Sequence, residues 1–438
     1  MNEPLTPEKK HQLVTAKYGS NFCAAPFNSL HEGPDGLVST CCKTRSPIGN
    51  SKTETFEEMY NSDHAKSVRK MFLLGQKPAQ CRGCWELEKG TDKPANNRMF
   101  SNASGFNTID ELVANTQPDG TLNLHKPEWL DLLWTNKCNF ACLGCSPELS
   151  TTIAKNYKKS YSILNAIDYK DIPEDELQWK NDNRSKIDYI LKHSDTIKMI
   201  HLNGGEPFLS EDIFELLDVL LKNNLQKKIK IWSHTNGSVT QSYKGVDIVN
   251  DYLVHWGNNA AITMSNDGNG ARGEYIRYGY RDKKWLETYL KIKDAKIDVN
   301  IQTCINVFNG LAIEEISDWI LSNCTRNGKK PHSTLTIWSN PSTNIRLYNF
   351  DEETKLTALA GLKRLETSGN HPIGWERFLK KHQDWMINAG DLDINNAKNW
   401  YNGVISLDLE RFTNFDQTFP ELVRFRNKVG NIINETAR

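Results

Sequence analysis

The chain has 438 residues with 54 basic and 54 acidic side chains, so its charge gives no argument for nucleic acid or an anionic membrane as a partner. Such a length is ample for about two or three domains. The opening MNEPLTPEKKHQ carries no apolar run, and no stretch of about eighteen consecutive apolar residues occurs, which points to a cytoplasmic protein without a membrane span. Ten cysteines stand in short-spaced pairs and triplets, a pattern that in a long chain favours metal over a disulfide framework.

Residues 1–20 read as a short polar, helical lead-in. Cys23 follows, then the turn residues Pro34-Asp35-Gly36 between two runs, 27–31 and 37–40, short enough to be hairpin strands. That hairpin brings Cys23 and Cys41 together. Over 55–74 the apolar residues Phe56, Met59, Tyr60, Val68, Met71 and Phe72 recur at helical intervals, and Gly75 ends the helix. Cys81 and Cys84 then form a C-x2-C pair. Cys23, Cys41, Cys81 and Cys84 supply four thiolates, which suit either an iron–sulfur cluster or tetrahedral structural zinc.

From residue 129 strands alternate with helices. A strand at 129–134 runs into Cys138-Asn-Phe-Ala-Cys142-Leu-Gly-Cys145, whose C-x3-C-x2-C spacing offers three thiolates on one loop and leaves a cuboidal cluster one iron free. A lysine-rich helical region, 148–194, reads as a solvated face. Further strands are expected at 196–202, before Asn203-Gly204-Gly205-Glu206-Pro207; at 228–234, before Thr235-Asn236; at 260–264, before Ser265-Asn266-Asp267-Gly268; at 297–306; and at 333–338, before Asn340-Pro341. Helices are expected between them, one with Phe214, Leu217, Leu220 and Leu221. Such alternation argues a parallel sheet, open or curled into a partial barrel, with functional loops at the carboxyl ends of the strands. On the strand at 297–306 the polar set Gln302, Cys304 and Asn306 would face the lumen. Cys324 reads as a buried small hydrophobe. Residues 345–438 read as helices and loops rich in Trp and Phe, with no catalytic motif.

Over roughly 125–340 the sequence resembles the radical SAM superfamily: Cys138, Cys142 and Cys145 match its cluster motif, and Gly204-Gly205-Glu206-Pro207 its GGEP motif. The resemblance implies an α/β fold, a partial (β/α)6 TIM-like barrel with a small N-terminal cysteine-rich module and a helical C-terminal extension. It implies a [4Fe–4S] cluster on the three cysteines, its unique iron chelating S-adenosylmethionine, which one electron cleaves to methionine and a 5′-deoxyadenosyl radical. Gly204, Gly205, Glu206, Thr235, Asn236, Ser265 and Arg277 are then the S-adenosylmethionine contacts: glycine backbone approaching closely, a carboxylate or carbonyls for the ammonium, hydroxyls and amides for ribose or carboxylate, and a guanidinium for the methionyl carboxylate. The family often has an aromatic residue before the third cysteine; here Gly144 stands there and Phe140 is the nearby ring.

Cys23, Gly36 and Cys41, with Cys81-x2-Cys84, resemble the opening of the SPASM and twitch auxiliary-cluster domains of the same superfamily. In those relatives the domain usually follows the core, whereas here it precedes it. Cys41 is chosen over Cys42 by its spacing from Gly36. The implied organisation is an auxiliary-cluster domain at 20–115, a radical SAM core at 125–340 and a helical extension at 341–438. The implied activity is hydrogen abstraction from a peptide or protein side chain by an oxidoreductase or modifying enzyme. A second, auxiliary [4Fe–4S] cluster would carry electrons, and a low-potential donor such as flavodoxin or ferredoxin would supply them. Alternatives are twitch-type oxidation of a small alcohol or sugar, and a non-enzymatic iron–sulfur or zinc protein; no basic stripe supports nucleic acid.

Overall fold

The structure, a computed structural model, describes residues 5–33, 35–44, 46–89, 94–169, 183–241, 245–337, 345–346, 350–388 and 390–436. Pro34, Asn340-Pro341 and residues 170–182 of the lysine-rich region lie outside them. In chain order the strands are β1 (Ser29–Glu32), β2 (Leu37–Ser39), β3 (Gly49–Asn50), β4 (Trp129–Leu133), β5 (Ala141–Cys142), β6 (Met199–Asn203), β7 (Lys230–Thr235), β8 (Ala260–Ser265), β9 (Arg277–Tyr278), β10 (Asp298–Ile305) and β11 (Ser333–Ile337). The class is mixed α/β, with the parallel pairs β4–β6, β8–β10 and β10–β11, a separate antiparallel pair β5–β9 and helices closing the chain; the parallel pairs follow the alternating sequence pattern.

Two compact units divide the chain: Met1–Trp134 with Trp179–Gly204 and Asp212–Trp232, and Thr135–Gln178 with Gly205–Glu211 and Ser233–Arg438. In the first unit β4 pairs in parallel with β6 on one side and with β1 on the other, and β1 continues antiparallel into β2 and β3. The cysteine-rich N-terminal segment therefore shares a sheet with the first core strand. The expected hairpin is present, but shorter: Phe27 belongs to a helical turn, Ala25–Asn28, because Pro26 sits at its start where the missing N–H costs nothing.

The helix expected over 55–74 is two helices. Thr55 and Glu58 form a capping box for Phe56–Tyr60, and Ser62 then caps Asp63–Leu73 through Ala65 N–H, so a second N-terminal signal breaks what the apolar spacing reads as one run. Lys186 likewise departs from the expected solvated face. It is buried and paired with Glu32, whose carboxylate also accepts from Ser51 Oγ at 2.5 Å and Trp134 Nε1 at 2.9 Å. On the helix Glu211–Lys222 the buried face is Ile213, Leu216, Leu217 and Leu220, about a residue from the expected one.

In the second unit β10 lies between β8 and β11, all parallel, and its residues alternate as expected, with Val299, Ile301, Thr303 and Ile305 buried and Asn300, Gln302 and Cys304 partly exposed. Asn306 is instead buried beyond the strand end, where its amide bonds Cys304 O and Phe308 N–H. Cys324 is buried on the helix Ile313–Cys324. Helices Glu352–Ser368, Glu376–Ile387, Ile394–Arg411 and Val423–Thr436 fill the C-terminal stretch, and Trp400, Phe308, Phe415 and Phe419 form an aromatic core there. Among the described residues no helix is long and apolar enough to cross a membrane.

Candidate metal centres

The first centre lies in the first unit. A cavity there is lined by Cys23, Cys41, Cys81 and Cys84 together with Lys43 and Arg98. Cys42 does not line it; its sulfur accepts from Asn97 Nδ2 at 3.5 Å. Cys41, the residue chosen by its spacing from Gly36, is among the residues that line this cavity. The β1–β2 hairpin brings Cys41 toward Cys23, and the turn Ala79–Cys81 followed by the helix Arg82–Glu88 supplies the C-x2-C pair. Burial pushes the Cys23 and Cys81 thiols up to about 12, while the Arg98 guanidinium, held by Glu88, pulls them down. All ten cysteines are free thiols. Four thiols line this one cavity, with Lys43 and Arg98 beside them, while among the described residues no three His, Cys, Asp or Glu side chains converge closely enough to hold a single metal ion.

The second centre lies in the second unit, on the loop after β4. Cys138, Cys142 and Cys145 are each partly buried, and Cys142 sits in β5, directly opposite Arg277 in β9. Leu143 N–H adds a bond to Ile276 O at 2.8 Å, so an antiparallel pair holds the middle of the cysteine loop. Ser150 and Thr152 fasten its beginning, their hydroxyls donating to Phe140 O at 2.7 Å and Cys138 O at 2.7 Å. Burial raises all three thiols, to about 12 for Cys145. Phe140 is buried, packed where a Cβ on Gly279 would come within 2.7 Å of its ring, so it fills core rather than presenting a face to a ligand.

The Gly205-Glu206 backbone runs along the root of this loop. Gly205 N–H donates to Thr135 O at 2.7 Å and Glu206 N–H to Lys137 O at 2.8 Å. A Cβ at residue 205 would stand 2.5 Å from Lys137 O and 2.8 Å from the Asn136 carbonyl, so only glycine allows this approach. Gly204 takes φ +136°, in the region that favours glycine. The motif is therefore a backbone clasp on the cysteine loop.

Glu206 is fully buried, and its carboxylate is engaged by the protein itself: Oε1 accepts from Thr235 Oγ1 at 2.8 Å and Phe208 N–H at 3.2 Å, Oε2 from Asn236 N–H at 2.7 Å. Burial raises its pKa to about 7 against the pull of these donors. Of the two expected means of holding an ammonium, the side chain is committed to bracing the loop after β7, which leaves the adjoining carbonyls. Asn236 is similarly used, its amide bonding Asn139 Oδ1 at 2.9 Å and Ser238 Oγ at 2.6 Å. Ser265, at the end of β8, is partly exposed.

Arg277 is ion-paired. Its Nη1 donates to Asp267 Oδ2 at 2.9 Å, while Asp267 Oδ1 accepts from Cys304 N–H at 2.7 Å. Asp267 is buried to 2 % exposure, so the pair is desolvated and fixes the β8 loop to β10. Cys304 Sγ lies 3.1 Å from Thr336 Oγ1, and burial pushes its thiol up to about 11. Within the second unit, then, Cys138, Cys142, Cys145, Glu206, Thr235, Asn236 and Arg277 are joined by hydrogen bonds, strand pairing or chain continuity. Sequence reasoning quoted Asp267 within its loop without giving it a role; its place between Ser265 and Gly268 was the available signal. It missed Arg411, for which no motif exists.

Residues 23–85 match the family model SPASM, an iron–sulfur cluster-binding domain. That match places an iron–sulfur cluster-binding domain of the SPASM type on the segment that carries Cys23, Cys41, Cys81 and Cys84. No curated protein matches the chain. Among solved structures it is similar to anSMEcpe with bound AdoMet, at 14 % identity and TM-score 0.38, covering 56 % of this chain and 62 % of that one. Streptococcus suis SuiB bound to S-adenosylmethionine gives 14 % identity and TM-score 0.38 over 73 % and 60 %. TYW1 with a lysine-pyruvate adduct gives 15 % and 0.29 over 53 % and 71 %. The chain thus spans less than two thirds of the length of the first two.

Proposed function

We propose that this protein is a radical SAM oxidoreductase that modifies a peptide or protein side chain by hydrogen abstraction, with an auxiliary [4Fe–4S] cluster receiving an electron. The observation that carries the reading is the joining of the two motifs: the loop of Cys138, Cys142 and Cys145 is clasped at its root by Gly205 and Glu206. When bound, the cluster and S-adenosylmethionine supply a 5′-deoxyadenosyl radical. Cys138, Cys142 and Cys145 would hold that cluster. The Gly204-Gly205 backbone would face the ligand's ammonium, Glu206, Thr235 and Asn236 would keep that backbone in place, and the Ser265 hydroxyl and Arg277 would meet hydroxyl or carboxylate groups.

Cys23, Cys41, Cys81 and Cys84 leave an auxiliary cluster no open position, which favours electron transfer over substrate binding there. In this reading residues 20–115 carry that cluster, 125–340 the radical core and 341–438 the extension, and a flavodoxin- or ferredoxin-like donor supplies electrons. The peptide preference comes from the SPASM match, since such domains accompany peptide-modifying relatives.

Anaerobic reconstitution tests the reading. Protein with both sites filled should hold about eight irons per chain. With dithionite and S-adenosylmethionine it should form 5′-deoxyadenosine, and Cys138→Ala, Cys142→Ala and Cys145→Ala together should abolish it. Continued formation in that variant would refute the assignment. Cys81→Ala with Cys84→Ala should lower iron by about half while 5′-deoxyadenosine persists.

A further inference from the structure

Arg411 closes the helix Ile394–Arg411, in the stretch of sequence that carries no motif, and is 4 % exposed. Its guanidinium reaches back to the cysteine loop. Nη2 donates to Ala141 O at 2.8 Å and to Tyr161 Oη at 2.8 Å, and Nη1 to Tyr275 O at 3.2 Å. The rings of Tyr278, Tyr157 and Tyr161 stand 4.8, 5.0 and 5.7 Å from its central carbon. Every one of these partners is neutral. Nε is buried without a hydrogen bond, and no carboxylate pairs with the side chain among the described residues. Arg277, the other guanidinium beside Cys142, is already neutralised by Asp267.

A buried guanidinium with only neutral partners is costly unless an anion lies close. Ala141, which it grips, is the residue next to Cys142, and three thiolates on that loop would supply the anion. The aromatic cage and the carbonyl bonds hold the cation there, behind the loop.

We propose that Arg411 is the counter-charge of the cluster held by Cys138, Cys142 and Cys145, delivered by the C-terminal helices, and that it raises the potential at which this cluster is reduced. The inference rests on the radical SAM reading. It makes Arg411 a positioning and tuning residue, acting through the cluster: a positive charge nearby favours the added electron.

The test is an EPR-monitored redox titration of anaerobically reconstituted full-length protein, following the signal that S-adenosylmethionine perturbs, with iron counted in each sample. Arg411→Met and Arg411→Gln should shift its midpoint to more negative values at wild-type iron content. Arg411→Lys, which keeps the charge and loses the fork, should stay near wild type. A wild-type midpoint in the neutral variants overturns the proposal, as does a lysine variant shifted as far as methionine. Should the neutral variants lose iron, the lysine variant decides alone by the same criterion. Wild-type protein with no signal responsive to S-adenosylmethionine would instead overturn the radical SAM reading on which the proposal stands.

Discussion

Asp267→Asn isolates the electrostatic support of the candidate site. The substitution keeps the volume, and the remaining carbonyl can still accept from Cys304 N–H, now at 2.7 Å. What is lost is the charge facing Arg277 Nη1 at 2.9 Å, with side-chain exposures of 12 % for Arg277 and 3 % for Asp267. Removing one partner of a buried pair leaves the other charge uncompensated, which costs about 3–5 kcal/mol. That is a large share of the roughly 5–15 kcal/mol that holds a typical domain folded. Urea unfolding of anaerobically purified protein, followed by tryptophan fluorescence, measures it. Arg277→Met in the same chain should recover most of the loss, because the stranded cation is then gone. A single variant within about 1 kcal/mol of wild type, or a strictly additive double variant, would show that the pair is solvated and the reasoning wrong.

Lys186→Met should destabilise the first unit by about 3–5 kcal/mol by stranding the buried Glu32 carboxylate, measured by urea unfolding. A deficit of less than about 1 kcal/mol would count against a stranded carboxylate. For Glu206, a pKa of about 7 against an ordinary 4.5 means the folded state binds its proton more tightly than the unfolded. Stability should therefore be highest below about pH 4.5 as far as this group is concerned, and fall by about 3 kcal/mol as pH rises through 7. Glu206→Gln should remove that fall, so parallel stability curves for the two proteins between pH 5 and 8 would refute it. Gly205→Ala should push the motif off the cysteine loop, lowering stability by about 1–3 kcal/mol and S-adenosylmethionine affinity by about tenfold or more in equilibrium dialysis. Unchanged affinity would separate the clasp from ligand binding.

The two cysteine sets and the GGEP loop were legible in the sequence because thiolate spacing and obligatory glycine are local requirements. Three thiols within eight positions share a loop in any fold, and Gly205 must be glycine wherever backbone comes within 2.5 Å. The alternation of β10 was legible for the same reason, since a strand's period is written residue by residue. Only tertiary structure decided how those pieces are braced. Glu206 spends its carboxylate on Thr235 and Asn236, and Arg277 its charge on Asp267, because partners about 10–30 residues away arrive at the same strand ends. The pairing of β1 with β4 and the burial of Lys186 against Glu32 depend on strands and helices about 100–150 residues apart, which no local pattern encodes. Arg411 is the extreme case: an arginine at a helix end reads as surface, and only the packing of Ile394–Arg411 brings it 270 positions back to Ala141, behind the three cysteines.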